Sequence, residues 1–334
     1  MKFSTLLMGL FLVCAGLPGH VRAQQTPAIQ QFGQTQRDMR LQKARPLNLS
    51  TNMEAPELYP GENADVGPQR ILRLKPHKTY FEVIADSQAL YTDNVYLSGN
   101  SKVGGALFIN TIQAALSPEG YEVGSGHFAP AVGFRSQWFN YAEDVNLSSL
   151  DFNAQTVFVN GRYQKGNWQF YGACDLTRLM DQPSYNEVYR ECFPILGFQR
   201  FFPVNDKLMF IAGPQIGYHF TDSQTNGIAN TSANNRFDAA LNLSASYLIT
   251  PKLVAQPFYR FQYTGYPDFS DGALSSNSRN DFVNTLGGSL AYFFNKYCAV
   301  RVFAVYEVND SSYSGTFSYH KFDAGGGLSL DVRF

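Results

Sequence analysis

The final thirteen residues, Phe322-Asp-Ala-Gly-Gly-Gly-Leu-Ser-Leu-Asp-Val-Arg-Phe334, constrain the fold more than any other segment. Successive side chains of an extended strand point to opposite faces. Phe322, Ala324, Leu328, Leu330, Val332 and Phe334 then share one face, while Asp323, Ser329, Asp331 and Arg333 share the other. Such a strand suits a sheet that separates an apolar medium from a watery one. The composition agrees, with 28 Phe, 20 Tyr and 28 Gly against only 16% charged residues. Mean hydropathy is low, as it is for a sheet that shows only every second side chain to the apolar side.

The N-terminus reads as an export signal over residues 1–23. Met1-Lys2 gives a positive start, Leu6 to Leu17 a hydrophobic stretch of secretory length, and Val21-Arg-Ala23 a small-residue cleavage site. Cleavage is expected before Gln24. A lipoprotein signal at Cys14 is disfavoured, because Val13 stands where a small residue is wanted and the apolar run continues past the cysteine. Beyond the signal no run approaches the roughly 18 apolar residues of a membrane-crossing helix. Residues 24–77 are rich in Gln, Pro, Asn and Arg without a sustained period, and read as an extended periplasmic segment or linker. Within it, Gln69 to Lys75 alternates imperfectly and could be a short strand or an inward plug, with linker the expected reading.

From residue 78 to 334 the chain breaks into twelve strand-like runs of roughly 10 to 16 residues separated by turn chemistry. Soluble strands commonly run five or six residues, whereas these are long enough to cross a bilayer at a tilt. Connections alternate in length: Gln164 to Asn167, Pro203 to Lys207, Thr250 to Lys252 and Asn295 to Tyr297 are tight, and their neighbours are long and rich in Asn, Ser, Asp and Gly. The expected fold is therefore all-β, a transmembrane antiparallel up-and-down β-barrel of about 12 strands. Ser117 to Gly126 is longer than the scheme wants, which leaves 10 to 14 strands open. A soluble β-sandwich is the competing fold.

The terminal strand ending on Phe334 resembles that of the bacterial outer-membrane β-barrel proteins. That resemblance implies that Phe334 is the assembly signal, with the barrel-assembly machinery and periplasmic chaperones as partners in biogenesis. It also implies outer-membrane lipid and lipopolysaccharide as surroundings and both termini on the periplasmic side. Asp86 to Leu97, through Tyr91, Asn94, Val95 and Tyr96, resembles the opening strand of the β-barrel porin superfamily, which implies a pore or transporter.

Chemistry-bearing motifs are sparse. No clustered Cys/His spacing, phosphate loop or basic aromatic stripe appears, so no cofactor, metal or nucleic-acid partner is expected. Among His77, His127, His219 and His320, only His219 with Asp222 three residues on makes a pair worth naming for a barrel hydrolase. A rim surface histidine is the expected reading of it. Cys174 and Cys192 fall on two arms of one hairpin, where a disulfide or two separate thiols are both open readings.

Alternation places Glu82, Asp86, Arg135, Asp175, Arg260, Arg301, Glu307, Asp331 and Arg333 on the inward, lumen-lining face. From Lys78 on there are 17 Lys and Arg against 22 Asp and Glu, a count that would favour cations slightly in an open pore. The expected function is a porin-like channel for passive diffusion of small solutes, not an enzyme. A non-conducting structural or surface-interaction barrel is the alternative, and a barrel hydrolase the less favoured one. Oligomeric state leaves no mark in the sequence.

Overall fold

The computed structural model describes residues 81–118, 120–142, 147, 150–182, 184–225, 228–229, 234–267, 278–312 and 317–334. The export signal and the 24–77 segment lie outside the described residues. Fourteen strand segments follow in order: β1 (Phe81–Thr92), β2 (Gly105–Leu116), β3 (Tyr121–Val123), β4 (Gly126–Tyr141), β5 (Phe152–Lys165), β6 (Trp168–Asp181), β7 (Glu187–Pro203), β8 (Leu208–Thr225), β9 (Ile228–Ala229), β10 (Arg236–Thr250), β11 (Leu253–Tyr266), β12 (Arg279–Phe293), β13 (Cys298–Ser311) and β14 (Tyr319–Arg333). Twelve of them are long and pair antiparallel with both neighbours, and β14 returns to pair with β1. The barrel is closed, so no long strand is left with an unpaired edge. The other two explain the irregular connections. β3 folds back on the start of β4 around Gly124, whose φ of 60° a side chain would resist, and β9 folds back on the end of β8.

One rim carries the tight connections and the two barrel ends, Phe81 and Phe334; it is called the turn rim here. The opposite rim carries the longer loops. Pairing followed straight across the strands from Asp86 runs through Thr111, Gln137, Ala154 and Leu179 to Tyr189. It starts in the middle of β1 and reaches the long-loop rim by β7, so the strands are steeply tilted.

The outer face is apolar and bounded by aromatics at both rims. Phe81 and Tyr91 on β1, Phe210 and Phe220 on β8, Phe237 and Tyr247 on β10, and Phe282 and Tyr292 on β12 are all exposed. Each pair lies ten residues apart on one strand. Ten residues of strand tilted by about 40–45° span roughly 25 Å, the height of a barrel's lipid-facing band. Polar groups on this face are satisfied sideways by neighbouring side chains. Ser87 donates to Asn110 at 2.8 Å, Tyr259 to Asn284 at 2.7 Å, and Arg178 to Gln155 at 2.6 and 2.9 Å.

Glycines on the inner face let rings lie flat against the wall. Phe158 covers Gly133, Tyr171 covers Gly197, Phe193 covers Gly217 and Phe258 covers Gly287. A Cβ on Gly217 would come within 2.5 Å of the Phe193 ring.

Candidate functional site: the inner wall and its two rims

All nine charged residues assigned to the lumen fall on the inner face, opposite the exposed aromatics, and most come together as pairs between adjacent strands or across one intervening strand. Arg301 on β13 donates through Nη2 to Asp86 at 3.1 Å and to Gln88 at 2.8 Å on β1, reaching across the glycine run of β14. Arg135 on β4 stands 3.8 Å from Asp175 on β6. Arg333 donates to Glu82 at 2.8 Å and lies 3.4 Å from Asp331. Glu307 accepts from Thr285 and Tyr319, and Arg260 donates to Gln262 through Nε and Nη2. The inner wall adds further pairs that the alternation did not single out: Lys321 with Asp323 at 3.1 Å, and Arg279 with Asp281.

The most enclosed of these groups surrounds His219. Its ring is fully buried and stacks on Phe193 at 3.6 Å between centroids. Nδ1 lies 2.9 Å from Glu191 Oε2 on β7, and Nε2 lies 3.0 Å from Asp238 Oδ2 on β10. Tyr189 donates to Glu191, Thr264 donates to Asp238, and Arg236 lies within 4.0 Å of both carboxylates. An imidazolium ring can donate to both carboxylates at once. Two sequence expectations are corrected here. His219 is not a surface residue, and Asp222 is not its partner, because an odd separation on a strand puts Asp222 on the outer face. Sequence gave no sign of Glu191 or Asp238, since each is brought in by strand register alone.

At the long-loop rim the connections fold inward. Leu97, Leu147 and Phe317 are buried loop residues. Asn94 holds the β1–β2 loop, donating to the carbonyls of Ser98 at 2.8 Å and His320 at 3.0 Å and accepting from the Ser98 amide. Phe317 lies under the Arg279 guanidinium at 3.7 Å, and Asn309 donates to its carbonyl. Asp93 braces the same loop. Burial would raise its carboxyl, but hydrogen bonds from Lys102 and the Phe322 amide, with the charges of Lys102 and His320, hold it below the ordinary 3.8.

At the turn rim, Phe334 closes the seam. Its amide donates to the Phe81 carbonyl at 2.8 Å, and the two rings are 6.1 Å apart. On the outer face, the sulfurs of Cys174 and Cys192 stand 3.7 Å apart and are not joined. They sit on a diagonal of the β6–β7 ladder, Cys174 opposite Pro194 and Cys192 opposite Leu176, which holds them farther apart than facing residues. Among the described residues no group of three or more His, Cys, Asp or Glu is arranged to hold a metal.

No family model and no curated protein matches the chain. Solved structures do resemble it. An outer membrane channel from Pseudomonas putida F1 aligns at 12% identity and a TM-score of 0.49, over 77% of this chain and 97% of that one. The β-domain of the Bordetella autotransporter BrkA aligns at 13% identity and 0.43, over 76% and 100%, and a NanC porin at 11% and 0.42, over 74% and 98%.

Proposed function

We propose that the protein is an outer-membrane channel for passive diffusion of small polar solutes, with both barrel ends on the periplasmic side. The observation that carries this reading is the contrast between the two faces of one wall. The outer face is apolar between aromatic margins about 25 Å apart, and the inner face carries charge throughout its height. The inner charges are paired sideways along the wall, so they form local dipoles instead of a field of one sign. Weak ion selectivity follows, and it replaces the slight cation preference that the overall charge count suggests.

Single-channel recording on the refolded full-length chain tests this. Discrete conductance steps with a reversal potential near zero in a salt gradient are expected. Arg301→Ala leaves Asp86 uncompensated and should shift the reversal potential toward cations. Neither steps nor solute-driven liposome swelling would favour the second reading, a non-conducting barrel. That reading draws on Leu97, Leu147 and Phe317, which lie buried in the long-loop connections. A hydrolase lacks support in the geometry, since both nitrogens of His219 face carboxylates already held in the wall.

A further inference from the structure

The turn rim carries a charge pattern that neither a solute path nor barrel closure requires. Four tight connections lie there, and each presents one lysine: Lys165 at the end of β5 before the turn to β6, Lys207 between β7 and β8, Lys252 between β10 and β11, and Lys296 between β12 and β13. All four are exposed. They are four of the seven lysines from Lys78 to the end of the chain. Three of the turns share one construction, in which a side-chain oxygen caps two successive amides. Asn205 accepts from Lys207 and Leu208, Thr250 from Lys252 and Leu253, and Asn295 from Tyr297 and Cys298. The fourth turns through Gly166 at a φ of 56°.

These cations sit against the aromatic margin. Lys165 pairs in register with Trp168, and the exposed Arg200 places its guanidinium 5.0 Å from the Trp168 ring and 4.9 Å from the Phe202 ring. Lys296 lies 4.7 Å from the Tyr297 ring. Against these five cations the same turns set Asp206, and the nearby β3 hairpin adds Glu122, which His127 already faces at 3.0 Å. The long-loop rim is the reverse. Its described acids Asp93, Asp151, Asp181, Glu187, Asp222 and Asp310 outnumber Lys102, Arg178 and Arg190. An aromatic margin marks the depth at which hydrocarbon gives way to headgroups, and cations just beyond it lie at the depth of lipid phosphates.

We propose that Lys165, Lys207, Lys252 and Lys296, with Arg200, form a headgroup site for anionic phospholipids in the leaflet at the turn rim. The site selects charge at the lipid surface, orients the barrel in an asymmetric membrane and holds the short turns at a fixed depth. This inference rests on the membrane-spanning reading above.

The chain contains its own probes. Its two tryptophans are Trp168, beside Arg200 at the turn rim, and Trp138, near the long-loop end of β4. The full-length chain carrying Trp138→Phe is refolded into phosphatidylcholine vesicles with a minor share of phosphatidylglycerol. Acyl-chain bromines are carried by one lipid or the other. Quenching of Trp168 per bromine should be about two-fold or more stronger from phosphatidylglycerol, given roughly 1 kcal/mol per basic residue at an anionic surface. The ratio should fall to about one in the K165Q/K207Q/K252Q/K296Q variant. High salt acting on the unsubstituted turns should do the same, which covers the case of a variant that refolds poorly. A ratio of one in the parent, or a ratio unchanged by both the substitutions and salt, overturns the headgroup site alone. Absence of quenching from either lipid overturns the membrane-spanning reading itself, and the site with it.

Discussion

His219 shows how much of a residue's role a barrel decides. Its neighbours in sequence are Tyr218 and Phe220, both aromatic and on the outer face, and Asp222, which also points outward. The groups that hold it come from β7 and β10, 28 and 19 residues distant. Removing a buried hydrogen-bonding partner leaves the groups it held unsatisfied, at a cost of about 1–3 kcal/mol. His219→Ala should therefore lower barrel stability by about that amount, read as a shift in the denaturant midpoint of the refolded protein with conductance steps retained. A change below about 1 kcal/mol would mean that Arg236 alone balances Glu191 and Asp238. The glycine positions carry a similar lesson. The sequence shows Gly217 and Phe193 as unrelated residues, and only register lays one over the other.

Alternation was the legible signal at the level of the element. β10, β11 and β13 could be drawn from the sequence with their outward and inward sides correct, because a period of two leaves no other way to keep Leu241, Leu243 and Tyr247 together. The 117–126 connection was less legible. Its β3 hairpin is three residues long and exposed, so no apolar period marks it. Pro194 and Pro214 also interrupt the β7–β8 ladder, since proline supplies no amide donor, and pairing there is discontinuous. The terminal strand offers a separable test. Deleting Phe334 removes two backbone hydrogen bonds to Phe81, at 2.8 and 3.5 Å, and one ring contact, and should cost the refolded barrel only about 1–2 kcal/mol. If Phe334 is also an assembly signal, the same deletion should sharply reduce the folded fraction in cells. Equal, small effects in both settings would leave it a packing residue.

On the scale of the whole molecule, closure is the controlling fact. Each long strand has two partners, and β1 with β14 forms the last seam through Phe81 and Phe334. A closed sheet unravels only when a whole ladder is lost, so the unboiled protein should migrate differently from the boiled one on a detergent gel. Identical migration would contradict the closed barrel. Closure also joins charges that the chain separates widely. Arg301 and Asp86 are 215 residues apart in sequence and 3.1 Å apart in space.

The sequence by itself determined the all-β fold class, a long-strand number of about twelve within a range of 10 to 14, the inward side of the nine charged residues assigned to the lumen and the export signal's likeness to secretory leaders. All of these follow from local periodicity and turn chemistry, which act over a few residues. Only the tertiary structure decided which inward charges neutralise one another, that His219 is enclosed, that aromatic margins stand about 25 Å apart, and that four turn lysines form one basic rim. These depend on the stagger between neighbouring strands and on closure. Stagger is set by many weak contacts along each ladder, and no single strand's sequence contains it.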